Sequence, residues 1–165
     1  AALISVTVPW PNAATCSPRN FDYCRSLGAD HVIDYTRGGV VDATRAWAPG
    51  GVDLVVDTVG QGSLIDITPA MKRGGIVCPI GTLIADEPQI DAGEAAAAGV
   101  TVIPTISNFM HQPRQLAALV EALAAGKVAM PEMTVLPLSE AGEAQRRVQE
   151  GHVRGKILLE VDPSL

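Results

Sequence analysis

The sequence predicts an α/β fold in which a doubly wound, mostly parallel sheet lies between layers of helices. Short apolar runs alternate with helix-length segments along most of the 165 residues. One run, VDLVVDTVG at residues 52–60, is almost entirely apolar, which is typical of a central strand covered on both faces. Strands that alternate with covering helices indicate βαβ units, and such units place their strands parallel.

The elements of the first third follow from caps and helix breakers. A strand is predicted at residues 13–16. A helix should follow it, because Ser17 suits the N-cap and Pro18 suits the first helical position. Gly28 is expected to end that helix. HVIDY then reads as the next strand, and VVDATRAWA as a short helix that ends before Pro49.

The middle of the chain continues the alternation. Ser63 is expected to cap a helix that carries Leu64, Ile67 and Met71 and stops at Gly74. GIVCPIGT and GVTVIPTIS are predicted strands, and Pro113 begins the clearest helix. The apolar residues of that helix recur at i, i+3, i+4 and i+7; they are Leu116, Leu119, Val120 and Leu123. The last forty residues predict a β-α-β tail made of TVLPL, SEAGEAQRRVQEG and GKILLEV.

The composition is that of a globular protein, with 47% hydrophobic residues. A net charge of −6 without a basic run argues against nucleic acid and anionic membranes as partners. No apolar run reaches the roughly 18 residues of a membrane span. The opening residues lack the positive flank of a signal peptide. The spacing and odd number of the cysteines indicate the reduced thiols of a cytoplasmic protein. The three cysteines have no CxxC spacing and are expected to be reduced, and the scattered histidines indicate no metal site.

Four motifs occur in a familiar order: SLGADHVIDY, GGVDLVVDTVG, MKRGGIVCPIGT and HVRGKILLEV. From about Ala14 to Val161 the chain resembles the medium-chain dehydrogenase/reductase superfamily, in its quinone oxidoreductase-like, enoyl reductase-like and alcohol dehydrogenase-like branches. The resemblance implies a Rossmann-like dinucleotide-binding domain at residues 1–129. It also implies that residues 130–165 are the segment that in the family returns to the catalytic domain. A GroES-like catalytic domain, which comes first in family members, is absent from this sequence.

The expected domain is also truncated at its first strand and phosphate loop. In dinucleotide-binding domains a glycine-rich turn comes before the second strand and lets backbone amides approach the pyrophosphate. Here the corresponding stretch is AALISVTVPWPNAA, which contains no glycine. A few of these residues are expected to pair as a strand. This apolar opening could fill the place of the missing strand, either within the chain or from a partner.

The resemblance implies a cofactor site at the carboxyl ends of the strands. NAD-dependent relatives carry an acidic residue at the end of the second strand, whereas this chain has CSPRN at residues 16–20. Ser17 and Arg19, with Asn20 beside them, are therefore expected to bind the additional phosphate of NADP(H). The alternative is that Ser17 only caps a helix and Arg19 is only a solvated surface residue.

Further cofactor-binding residues follow from the same resemblance. Tyr35, at the end of the third strand, is expected at the same phosphate, unless it is simply a packed strand-end tyrosine. Val59 and Gly60 should lie beside a cofactor ribose, although Gly60 could equally be a turn residue. Gly81 and Thr82 should flank the nicotinamide ribose.

Several other residues have either a possible contact with the cofactor or a purely structural role. Lys156 resembles a late basic residue that reaches the cofactor phosphate, although a strand lysine is commonly just solvated. Phe109 in TISNFM is more readily explained by packing than by contact with the nicotinamide. Asp34, Asp53 and Asp57 are interpreted as structural charges at strand ends. No catalytic residue can be named, and no zinc is expected in this chain.

Two functions remain open from the sequence. The first is the cofactor-binding part of an NADP(H)-dependent oxidoreductase that transfers hydride to a quinone, enone or carbonyl substrate. The second is a non-catalytic α/β module, a truncated reductase domain that serves assembly and has lost the cofactor. A homodimer is expected in either case, because a sheet that lacks a strand exposes apolar surface and free edges. The strand VTVIPTIS is a second candidate edge for pairing.

Overall fold

A computed structural model describes residues 5–6, 10–60, 62–80, 90–103, 113–151 and 153–161. The strands are β1 (Ser5–Val6), β2 (Ala13–Cys16), β3 (His31–Asp34), β4 (Val52–Asp57), β5 (Met71–Pro79), β6 (Thr101–Val102), β7 (Val128–Ala129), β8 (Met133–Pro137) and β9 (Lys156–Glu160). The helices are α1 (Phe21–Ser26), α2 (Val40–Trp47), α3 (Ala92–Ala98), α4 (Pro113–Ala124) and α5 (Ala141–Gln149). Short 3₁₀ turns precede α1, β5 and α5 and follow β3.

The strands pair mainly in parallel, as the βαβ pattern predicts. β2 pairs with β3, β4 pairs with β5, β5 pairs with β6, and β8 pairs with β9, all in parallel. The mixed α/β class with parallel sheets is therefore confirmed. Between β2 and β4, however, the described residues form no ladder, so the sheet is split into a β2–β3 part and a β4–β5–β6 part.

The hydrophobic core lies against the three-stranded part of the sheet. Val77 of β5 and Ala70 are fully buried, and Ala95 of α3 packs in the same cluster with Ile67 and Val100. The small side chains at Ala70 and Ala95 allow α3 to lie close to the sheet. This core fixes β4 and β5 and, through them, the strand ends that carry the candidate site.

The predicted helix after Ser63 is wrong. Residues 62–66 form successive turns, a 3₁₀ turn covers Thr68–Ala70, and β5 begins at Met71. The backbone bonds here run from residue i to i−3, such as Ile67 N to Leu64 O at 3.1 Å. Pro69 has no N–H to donate, which removes one bond that an α-helix would need.

β4 is a strand, as predicted, but it is not covered on both faces. Leu54 is 53% exposed and Val56 is 49% exposed, and both lie on the same face because side chains alternate along a strand. In the described part of the chain, β4 has a partner only on the β5 side. Among the described residues, β4 therefore lies at the edge of its sheet, although its sequence is typical of a central strand.

The apolar opening of the chain pairs elsewhere. Ser5 and Val6 form an antiparallel pair with Ala129 and Val128 of β7. The expectation that a few opening residues form a strand is confirmed. These two residues do not fill the gap between β2 and β4.

The C-terminal tail forms the predicted strand–helix–strand unit. On the surface of α5, Glu143 accepts hydrogen bonds from Arg146 and Arg147, and Arg146 also pairs with Glu150. These charge-assisted bonds lower the pKa of Glu143 to about 2. Among the described helices, none is long and apolar enough to cross a membrane.

Candidate functional site

A cavity of about 960 Å³ opens at the carboxyl ends of β2 and β4. Its wall is built from the turn after β2, the start of α2, the loop after β4 and the segment before β9. The residues that line it are Thr15, Cys16, Ser17, Asn20, Tyr23, Cys24, Tyr35, Gly38, Gly39, Val40, Val41, Val56, Asp57, Thr58, Val59, Gly62, Ser63, Leu64, Ile65, Asp66, Ile67, Pro69, Gly151, Val153 and Arg154. The site therefore lies where ligands bind in open parallel sheets.

Ser17 is placed in this cavity with an unused hydroxyl group. It occupies the N-cap position of the 3₁₀ turn Pro18–Asn20, but its side chain makes no capping bond. The residue is 7% exposed, and its Oγ atom has no hydrogen-bond partner among the described residues. Because a buried hydroxyl is normally hydrogen-bonded, this orphan group indicates a place for a ligand atom.

Of the other residues expected at the phosphate, some line the cavity and one lies on the surface. Asn20 and Tyr35 line the cavity together with Ser17, so three of the expected phosphate-binding residues are brought together. Arg19 is exposed and does not belong to the lining. The sequence spacing alone could not show this, because a 3₁₀ turn directs successive side chains in different directions.

At the other end of the cavity, Asp57 holds the loop that follows β4. Its buried Oδ1 atom accepts hydrogen bonds from the amides of Val59 and Gly60, at 2.9 and 3.1 Å. The hydroxyl of Ser63 donates to the same oxygen at 3.1 Å. Val59 faces the cavity, whereas Gly60 is buried beneath it with φ of 71°, which is a conformation that favours glycine.

The late basic residue in this cavity is Arg154, which the sequence analysis missed. Lys156, the expected residue, lies in β9 opposite Met133 and is not part of the cavity lining. Arg154 donates from Nη2 to the carbonyl of Arg19 at 3.0 Å and reaches the Asn20 side chain. Gly155, at φ of 73°, separates the two basic residues, so that Arg154 lies in the segment before the strand and Lys156 lies in the strand itself.

Two cysteines form part of the cavity floor. Cys16 and Cys24 are buried, and their thiols hydrogen-bond to each other. Burial, followed by the bond to Cys24, raises the pKa of Cys16 to about 12. Both thiols, like that of Cys78, are free rather than disulfide-bonded. A thiol with such a pKa is protonated at neutral pH and is a poor nucleophile or metal ligand.

The structure does not describe all of the residues that the sequence analysis proposed for the cofactor site. Gly81, Thr82 and Phe109 lie outside the described residues. In the described ranges, no group of three or more His, Cys, Asp or Glu side chains is placed to hold a metal ion. The described donor set therefore does not fit a zinc ion.

Comparison with known proteins identifies the family. The sequence profile of the zinc-binding dehydrogenases matches residues 27–159, which is most of the chain. The chain belongs to the zinc-binding dehydrogenase family. This family is part of the medium-chain dehydrogenase/reductase superfamily, so the resemblance seen in the four motifs is confirmed.

Relatives of this zinc-binding dehydrogenase chain are oxidoreductases. It is 31% identical over 155 residues to a probable mitochondrial zinc-binding oxidoreductase of Arthroderma benhamiae, covering 89% of this chain and 43% of that protein. It is 30% identical over 162 residues to a chloroplastic quinone oxidoreductase of Triphysaria versicolor, covering 89% and 44%. The crystal structure of the alcohol dehydrogenase from Aeropyrum pernix superposes with a TM-score of 0.77 at 25% identity, covering 92% and 43%. The chain thus spans less than half the length of the relatives it matches.

Proposed function

We propose that the chain is the cofactor-binding part of an NADP(H)-dependent oxidoreductase that transfers hydride to a quinone, enone or carbonyl substrate. The observation that carries this proposal is the buried, unpaired hydroxyl of Ser17 in the cavity wall. An unsatisfied buried hydroxyl costs about 1–3 kcal/mol, and a phosphate oxygen would remove that cost by accepting a hydrogen bond from it. A carboxylate, which would repel the phosphate, is absent from residues 16–20.

The residues around the cavity support distinct tasks in such a site. Ser17 donates to the phosphate, and Tyr35 presents its ring and hydroxyl on the neighbouring strand end. Asp57 fixes the loop that carries Val59, and this apolar side chain forms part of the cavity wall. When bound, the nicotinamide cofactor supplies the hydride.

The cavity residues named so far belong to the end of the site where the additional phosphate is expected. We propose that the adenosine end of the cofactor lies against Ser17 and Tyr35. The nucleotide 2′,5′-ADP carries the same phosphate, so it should bind in this cavity and compete with NADPH. The reduced cysteines fit a reducing compartment such as the cytoplasm.

The test is a titration of the chain with NADPH and, separately, with NADH, followed by nicotinamide fluorescence at low and moderate salt. We expect salt-sensitive binding that favours NADPH. Ser17→Ala should weaken NADPH binding by about tenfold, the effect of one lost hydrogen bond to a charged group. Ser26→Ala is the matched control, because the Ser26 hydroxyl donates to the carbonyl of Tyr23 and lies outside the cavity. Equal affinity of the Ser17→Ala variant and the unmodified chain would refute this role of Ser17.

A specific observation favours the second candidate, a non-catalytic module that serves assembly. Leu54 and Val56 are exposed, and in the described residues β2 and β4 each have a strand partner on one side only; a partner would cover these surfaces. We further propose that two copies pair to form a homodimer, for which β6, the last strand of its sheet among the described residues, offers an edge. Absence of nucleotide binding at millimolar concentration, together with stable self-association, would favour assembly over catalysis.

A further inference from the structure

The start of α2 forms part of the cavity wall. After β3, the 3₁₀ turn Tyr35–Arg37 is followed by two glycines, and α2 begins at Val40. Both glycines, Gly38 and Gly39, line the cavity, as does Val40. The first turn of an α-helix carries backbone N–H groups that have no partner within the helix. This part of the wall is therefore a place where the backbone itself can bind an anion.

The N-cap position of α2 provides no side chain to occupy these amides. The N-cap residue is Gly39, and the first backbone bond of the helix runs from the amide of Ala43 to the carbonyl of Gly39 at 2.9 Å. Most helices have Ser, Thr, Asp or Asn at this position, and its side chain accepts a bond from one of the first amides. In α3, for example, Asp91 accepts from the amide of Glu94 at 2.7 Å. The N-cap of α2 offers no such acceptor.

The two glycines leave space beside the amides, and the turn before them is held in place. Gly38 and Gly39 have φ of 71° and 65°, in the region that favours glycine. A Cβ atom added to either residue would meet no heavy atom within 4 Å. Oδ1 of Asp34 accepts hydrogen bonds from the amide and the hydroxyl of Thr36, at 3.0 and 2.6 Å. A ligand group could therefore approach a backbone that is already ordered.

An independent observation points to a ligand at the same place. Ser17 lines this cavity too, and its buried hydroxyl has no hydrogen-bond partner among the described residues. Cys16 lies opposite Asp34 in the β2–β3 ladder, so Ser17 and the turn before α2 follow neighbouring strand ends. A phosphate group has three strong acceptor oxygens, which is enough to accept from a hydroxyl and from backbone amides at once.

The charges around this part of the cavity favour a phosphomonoester. Three charged residues line the cavity: Asp57, Asp66 and Arg154. Asp57 is occupied by donors of its own loop, and Asp66 is exposed. Asp42, in the first turn of α2, is exposed and does not belong to the lining. Because a helix dipole stabilises negative charge at the N-terminus, a phosphomonoester with nearly two charges gains more there than a phosphodiester with one.

We propose that the Gly38–Gly39 turn and the first turn of α2, together with Ser17, form a phosphomonoester site in which backbone amides hold the phosphate oxygens. The additional phosphate of NADP(H) is a phosphomonoester, so the inference rests on the function proposed above and deepens it. Inorganic phosphate and 2′-AMP offer the same chemistry without the dinucleotide. Comparing these ligands separates binding at this site from binding of the whole cofactor.

The first experiment follows the backbone amides of the chain by nitrogen–proton correlation NMR. Inorganic phosphate, 2′-AMP, NADPH and NADH are added in separate titrations. The first three should shift the amide protons of residues 39–42 downfield and saturably, because a hydrogen bond to an anion deshields the proton. NADH lacks the additional phosphate and should not do so. The start of α5 is the internal control, since it also has no side-chain capping bond and lies outside the cavity.

The second experiment places a competing acceptor at the N-cap. Aspartate tolerates a left-handed backbone better than most residues, and in Gly39→Asp its carboxylate would accept from the first amides and repel phosphate. The Kd for 2′-AMP and for NADPH should rise at least about tenfold, and the Kd for NADH should change less than about twofold. Gly126→Asp is the matched control: its φ is 67°, a Cβ there meets nothing within 4 Å, and it lies outside the cavity. That variant should leave every affinity unchanged.

The outcomes separate this inference from the proposed function. If NADPH binds more tightly than NADH but the amides at the start of α2 do not shift, the phosphomonoester site is refuted and the proposed function stands. If inorganic phosphate and 2′-AMP shift these amides but NADPH does not bind, the site stands and the proposed function fails. Equal shifts at the start of α5 would overturn the site, because phosphate would then be binding to uncapped helix ends in general. Should Gly39→Asp lose its helical circular dichroism, the amide shifts of the unmodified chain decide alone.

Discussion

Replacing Asp57 tests how firmly the loop beside the cavity is held. Three donors, two backbone amides and the Ser63 hydroxyl, converge on its buried Oδ1 atom at 2.9 to 3.1 Å. A hydrogen bond to a charged group contributes roughly 1.5–3 kcal/mol, but these three share one acceptor and are not additive. We therefore expect Asp57→Ala to lower the free energy of unfolding by about 3 kcal/mol. Asp57→Asn keeps an acceptor without its charge and should cost about 1 kcal/mol.

Urea unfolding followed by circular dichroism measures these differences. With a slope of roughly 1–3 kcal/mol per molar urea, Asp57→Ala should lower the midpoint by at least about 1 M. Asp53→Ala is the matched control in the same strand: its carboxylate binds Lys72 at 2.7 Å but is 80% exposed, so its loss should cost under about 1 kcal/mol. Equal midpoints for the two alanine variants would refute the view that Asp57 organises this loop.

Three further predictions concern titration, thiol reactivity and assembly. The two arginine partners of Glu143 lower its pKa from 4.5 to about 2. The stability that its ion pairs give to α5 should therefore be complete above pH 4.5 and be lost as the pH falls toward 2, and an NMR titration of the carboxyl group would follow this loss. Because Cys16 and Cys24 are buried and the pKa of Cys16 rises from 9.0 to about 12, iodoacetamide at pH 8 should modify the half-buried Cys78 first, as mass spectrometry of the peptides would show. Stability should decline as the pH rises above 9.0, because the Cys16 thiol loses its proton more readily in the unfolded chain. Light scattering at micromolar concentration should give the mass of a dimer, and a strictly monomeric profile would contradict the proposed homodimer.

The sequence predicted the elements best where local signals were strong. β2, α2, β8 and α5 fall where apolar periodicity, caps and glycines placed them. The helix predicted after Ser63 does not form. The apolar spacing favours a helix there, but Pro69 has no backbone N–H to donate, and the segment folds into turns instead. The exposure of β4 could not be predicted from VDLVVD, because such an apolar run is typical of a strand covered on both faces, whereas among the described residues β4 pairs on one side only.

The candidate site was predicted only in part for a related reason. Ser17, Asn20 and Tyr35 meet in one cavity because the ends of parallel strands converge, and this rule needs only strand positions. Arg154 could not be found in the same way. Its position depends on contacts with residues more than 100 positions earlier in the chain, and no local pattern records them.

In the part of the chain that the structure describes, β2 and β4 each lack a strand partner on one side, and this bears on how the protein behaves in concentrated solution. Natural sheets protect their edges with lysine, proline or a bulge, whereas the four residues of β2, AATC, carry no charge. Two backbone edges beside the half-exposed Leu54 and Val56 form a template onto which an extended segment of any neighbouring molecule can add. The chain should therefore convert slowly to fibrils on storage unless a strand occupies the gap, and thioflavin fluorescence over days would record that conversion.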